Sequence, residues 1–172
     1  MLMNITPPSK STSLLVRPVE ESELPQLLTL LQAKAVFDSA ELSFIASVAS
    51  LREALFGPNQ LAHALVAVEN GALIGVATYY ATFSSFVAKP CLWLDDLFVQ
   101  ETHRSKGVGR ALVKRLCEIA QANGCGRVDW VVAASNTNGR AFYTSLGAAI
   151  FESVRLARLD AAAISMLASE GS

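Results

Sequence analysis

The chain has 172 residues, 52% of them hydrophobic and 17% charged, a balance that excludes global disorder and suits one compact domain. Fourteen Lys and Arg against fifteen Asp and Glu leave a net charge of -1, so a general nucleic-acid binder is not expected and any anion must be gripped by local clustering. Cys91, Cys117 and Cys125 contain no CxxC pair and His63 and His103 lie in different segments, so a disulfide framework and a metal site are both unsupported; reduced, packing thiols in a cytoplasmic protein are expected.

Residues 1–12 lack a basic region followed by an apolar one and read as a flexible tail rather than a secretory signal, with a single domain over 13–172. Leu14 to Arg17 is predicted as a short strand. Glu20, Glu21 and Glu23 then open a Leu-rich helix ending near Ala35, acidic side chains suiting a positive helix start. Ser50 with Glu53 has capping-box spacing, and Gly57-Pro58 ends a second helical region. The charges of Asp38, Glu41 and Glu53 could line a pocket for a cation, but solvated helix faces are the default for them.

Ala62 to Glu69 and Ala72 to Phe83 are β-rich runs joined by Asn70-Gly71, a pair suited to a two-residue hairpin turn. The uncharged stretch from Asn70 to Ala88 holds two Gly, two Thr and two Ser, so strand pairing explains it better than a membrane span. Cys91 to Val99 is a central strand, Gly107 to Asn123 a helix with Val108, Leu112, Leu116 and Ile119 on one stripe, and Arg127 to Ala133 a further strand. Thr137 to Leu146 follows as a short helix closed by Gly147, then Ala149 to Leu159 as a last strand and Asp160 to Ser169 as a terminal helix. This order describes an α/β protein whose mixed, mostly antiparallel central sheet is flanked by helices.

Between the strand ending at Val99 and the next helix lies His103-Arg104-Ser105-Lys106-Gly107-Val108-Gly109-Arg110. Two glycines allow close backbone approach, the helix start polarises its N–H groups, and Arg104, Lys106 and Arg110 add cations, which is chemistry for a phosphate or diphosphate. An ordinary basic turn is the bland alternative. Gly109 is followed by Arg110 and Ala111 rather than Lys and Ser or Thr, and Leu112 stands where a dinucleotide fingerprint needs its third glycine.

The run Arg104-x-x-Gly107-x-Gly109 after a strand, followed by Asn136 and by Phe142-Tyr143-x-x-Leu146-Gly147, resembles the signatures of the GNAT family of acyl-CoA-dependent N-acetyltransferases. From about Leu51 to Ala148, the stretches LREALFG, ATFSSFVAKPCLWLDDLFV and AFYTSLGA are similar to its diamine and thialysine acetyltransferase branch. That branch commonly has Glu then Asp where Asp95 and Asp96 stand, and Trp where Ser135 stands. The resemblance implies a GNAT-like domain, acetyl-CoA as co-substrate, a small primary amine as acceptor (a polyamine, thialysine or a lysine-like amino acid) and a homodimer. Neither nucleic acid nor membrane is implied.

By the same likeness, Leu97, Phe98 and Val99 should pair with pantetheine as an extra strand. Residues Arg104, Ser105, Lys106, Gly107, Val108, Gly109 and Arg110 should hold the diphosphate, Asn136 should contact the coenzyme, and Tyr143 should face its sulfur as general acid. Asp95 and Asp96 sit in an apolar strand whose adjacent residues face opposite sides, so one would orient the amine directly and the other act through water or across a dimer seam. Each could equally pair with an arginine or cap a backbone N–H. None of the cysteines has a partner base, which favours direct transfer over an acyl-enzyme. A non-catalytic acyl-CoA-binding module and an acetyltransferase of protein N-termini or lysines are the alternative functions.

Overall fold

The computed structural model describes residues 13–170, so the proposed N-terminal tail lies outside the described residues. The elements run in the order β1 (Leu15–Pro18), α1 (Leu24–Phe37), α2 (Val48–Phe56), β2 (His63–Glu69), β3 (Ala72–Ser84), β4 (Lys89–Val99), α3 (Val108–Ala122), β5 (Val128–Asp129), α4 (Thr137–Ser145) and α5 (Ala161–Ala168), with short 3-10 turns at Glu21–Glu23, Glu41–Ser43 and Glu101–His103. The described residues divide into two compact units, one ending at Trp130 and the other beginning at Val131.

The first unit is a five-stranded sheet in the order β1-β2-β3-β4-β5, antiparallel except for the final parallel pair. Asn70 and Gly71 both adopt positive φ, 52° and 79°, which is what a tight turn matched to strand twist requires between β2 and β3. Glu23 starts α1 by accepting the backbone N–H of Glu20 at 2.9 Å, and it also takes a two-pronged bond from Arg17 of β1 at 2.8 and 2.7 Å. The capping box of α2 uses Ser47 and Ser50, with Ser47 as the cap, rather than the expected Ser50 and Glu53.

Alternation along the strands sends apolar side chains to both faces, and each face has a helical cover. Val66, Val68, Val76 and Phe98 pack with Leu24, Leu27, Leu30 and Leu31 of α1 and Leu55 of α2. Leu65, Ala67, Ile74, Ala77, Tyr79, Leu92 and Leu94 pack with Val108, Leu112, Leu116 and Ala120 of α3. Among the described residues no helix is long and apolar enough to cross a membrane, and the uncharged stretch after Asn70 is mostly β3.

Two expectations need correction. The strand proposed for Arg127 to Ala133 shrinks to Val128–Asp129, which pair with Leu92 and Trp93 alone. The cause is a bulge in β4, because a bulged strand bends and its pairing is interrupted there. The strand proposed for Ala149 to Leu159 is not formed. In the second unit this run turns at Phe151–Val154, with the Val154 N–H on the Phe151 carbonyl at 3.3 Å, and the Arg155 guanidinium takes the Glu152 and Val154 carbonyls at 2.6 and 3.1 Å. Those local bonds occupy carbonyls that a ladder would use.

Gly75 governs how closely α3 approaches the sheet. A Cβ there would meet the Phe98 carbonyl oxygen at 3.1 Å, Leu112 at 3.2 Å and Val108 at 3.3 Å. Gly75→Leu should therefore lower stability by about 1–3 kcal/mol in chemical denaturation, the usual range for overpacking. An unchanged midpoint would show that α3 is free to shift.

Candidate active site

The bulge falls at Asp95. Thr78 lies opposite Asp96 and Tyr79 opposite Leu94, so Asp95 is the additional residue. Before it, Leu92 and Leu94 pack on the α3 face; after it, Leu97 and Val99 do so. The phase has slipped by one, and Asp95 and Asp96 both line one cavity on the α1 face. This overturns the expectation that neighbouring strand residues must face opposite sides.

Thr78 explains how the disturbed ladder is satisfied. Its hydroxyl accepts the Asp96 backbone N–H at 3.1 Å and donates to the Asp96 carboxylate at 3.1 Å. The other Asp96 oxygen faces the Lys34 ammonium at 3.4 Å, and Lys34 is also ion-paired with Asp38 one turn along α1. Burial pushes the Lys34 ammonium down, but the bond to Asp38 and the field of Asp96 together outweigh it, so its pKa lies above the ordinary lysine value and the group is cationic. Tyr80 is raised by burial first and by the charge of Asp95 second.

The cavity has a volume of about 380 Å³. Its polar lining is Lys34, Asp38, Ser43, Thr78, Asp95 and Asp96; the rest is apolar, from α1, α2 and the segments beside them, with Leu31, Phe44 and Leu55 among its largest walls. Of the three acidic residues weighed as possible pocket charges, Asp38 lines it and Glu41 and Glu53 do not. Lys34 escaped the sequence reading. The signal was present: it follows Leu27, Leu30 and Leu31 at helical spacing, so it is a charge on the buried stripe of α1 rather than on its wet face.

The outer edge of β4 is the second feature. Leu97, Phe98 and Val99 pair with Ala77, Val76 and Gly75 of β3, whereas pairing with β5 is confined to Leu92 and Trp93. Beyond the bulge, β4 thus presents a backbone edge to which an extended ligand could add, with the Val99 carbonyl at its end already accepting from Arg104 Nε at 3.0 Å.

The third is the turn into α3. Gly107 has φ 82°, a left-handed conformation that disfavours any Cβ, and no side chain caps the helix. The first intrahelical bond runs from the Ala111 N–H to the Gly107 carbonyl at 2.9 Å, so the N–H groups of Val108, Gly109 and Arg110 precede the helical ladder. Ser105 also has positive φ, 59°, and Lys106 and Arg110 are exposed. These donors and cations fit a diphosphate. Arg104 is engaged differently: its Nε donates to the Val99 carbonyl at 3.0 Å, and its guanidinium lies 4.8 and 5.5 Å from the Phe37 and Phe98 ring centres. It pins the strand end to α1. His103 faces Glu69 at 3.4 Å.

In the second unit, Asn136 caps α4 by accepting the Gly139 N–H at 2.8 Å. A Cβ on Gly139 would come within 2.6 Å of the Asn136 side-chain nitrogen, so a larger residue there would require the capping side chain to shift. Tyr143 is half-buried on α4 with its ring 5.2 Å from that of Phe142. Gly147, φ 90°, ends the helix region. The three cysteines are free thiols; Cys91 is buried and burial raises the Cys125 pKa, which suits packing for those two, whereas Cys117 is exposed on α3 and is not a packing thiol. Among the described residues no cluster of His, Cys, Asp and Glu is placed to hold a metal ion.

Comparison with known proteins bears directly on this arrangement. The chain is 36% identical over 90 residues to an L-ornithine N5-acetyltransferase of Arabidopsis thaliana, covering 52% of this chain and 40% of that protein. It is 31% identical over 140 residues to spermidine/spermine N(1)-acetyltransferase-like protein 1 of Homo sapiens, covering 77% and 20%. It therefore spans less than half the length of either of these curated relatives. With the thialysine N-epsilon-acetyltransferase of Sus scrofa, 26% identity over 144 residues covers 79% of this chain and 84% of that one. An integron cassette protein from the mobile metagenome of V. cholerae superposes with a TM-score of 0.77 at 26% identity, covering 92% and 99%. A family model described as the acetyltransferase (GNAT) family matches residues 25–148, which take in the cavity strands, the turn into α3 and α4. The chain belongs to the GNAT acetyltransferase family.

Proposed function

We propose that this protein transfers an acetyl group from acetyl-CoA directly to the nitrogen of a small primary amine. One observation carries the reading: in a chain of the acetyltransferase family, the bulge turns two carboxylates into one small cavity beside the open edge of β4. Ornithine, thialysine and spermidine or spermine are named in the relatives' descriptions and belong in the panel of acceptors to be tested.

An alkylamine titrates near lysine, at about 10.4, so it arrives as a cation and must lose a proton before it attacks. Asp95 and Asp96 attract the ammonium, and water beside them carries its proton away. The backbone from Leu97 to Val99 holds the pantetheine arm, with an N–H near Phe98 facing the oxyanion. The α3 turn holds the diphosphate through its N–H groups, Lys106 and Arg110. As the C–N bond forms and the C–S bond breaks, the Tyr143 phenol donates its proton to the departing thiolate and is reprotonated from solvent. Asn136 contacts the coenzyme through the side-chain NH₂ that its capping role leaves over.

Release of free CoA thiol in the presence of a panel of primary amines tests the reaction. Amine-dependent release supports it, and coenzyme binding without release on any amine or peptide would leave a binding module instead. Tyr143→Phe should bind acetyl-CoA normally while turnover drops about 100-fold or more, the usual scale of general-acid catalysis; full turnover would remove that role. Replacing Gly107 and Gly109 together by Val should weaken acetyl-CoA binding at least tenfold in calorimetry, with circular dichroism reporting an intact fold. Unchanged affinity would move the diphosphate elsewhere.

A homodimer is part of the same reading. Phe151, Val154, Leu156 and Leu159 of the second unit are each more than half exposed, an apolar surface that a partner subunit would cover. Sedimentation at micromolar protein should give twice the monomer mass, and a monomer would contradict it.

A further inference from the structure

Lys34 changes what the carboxylate cavity can accept. Its side chain is 17% exposed, and it lines the same cavity as the carboxylates that the acceptor must use. The ammonium bridges Asp38 on its own helix and Asp96 on β4, at 3.4 Å from the latter. Asp96 is held on its other oxygen by Thr78 at 3.1 Å. A second substrate ammonium would therefore meet Lys34 at the place where it needs an anion. Two such cations in contact repel, and more strongly beside a protein surface than in bulk water.

With Asp95 facing the reacting ammonium and Asp38 and Asp96 paired to Lys34, the remaining wall offers that second charge nothing. Leu27, Leu31, Phe44, Leu51 and Leu55 line the cavity, and Ser43 supplies a lone neutral hydroxyl. An ammonium moved against these side chains would lose its hydration without a partner, whereas a hydrocarbon body would gain by leaving water. The cavity volume of about 380 Å³ is at the small end of ligand sites, enough for one compact organic group.

We propose that Lys34 is a specificity-determining residue that stands in for a diamine's second ammonium, so the acceptor is a monoamine with an apolar body, an alkylamine or arylalkylamine, rather than a polyamine or a diamino acid. This rests on the acetyl-transfer reading above and narrows its substrate class. A carboxylate on the acceptor is not required to satisfy Lys34, which already has two anionic partners.

The test compares kcat/KM for 2-phenylethylamine and n-hexylamine with those for 1,4-diaminobutane and lysine, using wild-type protein, Lys34→Met and Lys34→Arg. Wild type should favour the monoamines at least tenfold. Lys34→Met should raise the diamine relative to the monoamines by tenfold or more, since Asp38 and Asp96 are then left for its second ammonium, and Lys34→Arg should keep the wild-type preference. A wild-type preference for 1,4-diaminobutane or lysine overturns the inference while leaving the acetyl-transfer reading intact. So does a Lys34→Met protein that loses activity equally on all four amines while still binding acetyl-CoA. If no amine releases thiol from the wild-type protein, the acetyl-transfer reading itself fails and this inference with it.

Discussion

One extra residue in β4 organises the site. Asp95 has no counterpart on β3, and the slip of phase that follows sends Asp95 and Asp96 toward α1 together while returning Leu97 and Val99 to the α3 face. Without the bulge, Asp96 would be driven into the apolar layer under α3 and Phe98 would leave the α1 core, each at considerable cost. The same disturbance interrupts pairing with β5, so the strand that presents the carboxylates also exposes a backbone edge a few residues on. Acidity and an open edge are consequences of one local event.

The helix covers act around that event. Gly75 allows α3 to lie close against β3 and the Phe98 carbonyl, and this fixes where the first turn of α3 stands relative to the end of β4. Arg104 then ties the chain leaving β4 to Phe37 and Phe98, using its flat guanidinium as packing surface and its Nε as donor to Val99. The turn that follows has a left-handed Gly107 and no side chain over the helix start. A basic residue in a motif thus serves the scaffold, while the backbone N–H groups and the flanking Lys106 and Arg110 are the groups suited to an anion.

The cavity's electrostatics are a balance of near neighbours. Asp96 tolerates partial burial because Thr78 and Lys34 address its two oxygens, and Lys34 tolerates burial because two carboxylates address its ammonium. Removing Lys34 takes the shared cation from Asp38 and Asp96 at once, whereas losing either carboxylate leaves Lys34 one anionic partner. The arrangement therefore acts on specificity as well as on stability, since an incoming amine must fit a set of charges that is already partly matched.

Much of the architecture was legible in residues alone. The Asn70-Gly71 turn, the amphipathic stripe of α3, the basic glycine turn before it and the short helix closed by Gly147 are local features, set by backbone propensity and by spacings within a few residues. The family signatures are equally local, which is why the acetyltransferase assignment followed from the chain itself. What the tertiary structure decided depends on partners distant in sequence. The Asp95 bulge exists only relative to Thr78 and Tyr79, the early end of β5 only relative to β4, and the pocket role of Lys34 only because α1 lies over Asp96. The run after Ala149 has the composition of a strand, yet a strand is defined by its neighbour, and here its carbonyls are taken by Arg155 and a local turn. Periodicity reports which residues want burial, and only the assembled sheet and helices determine which face, and which charge, each of them meets.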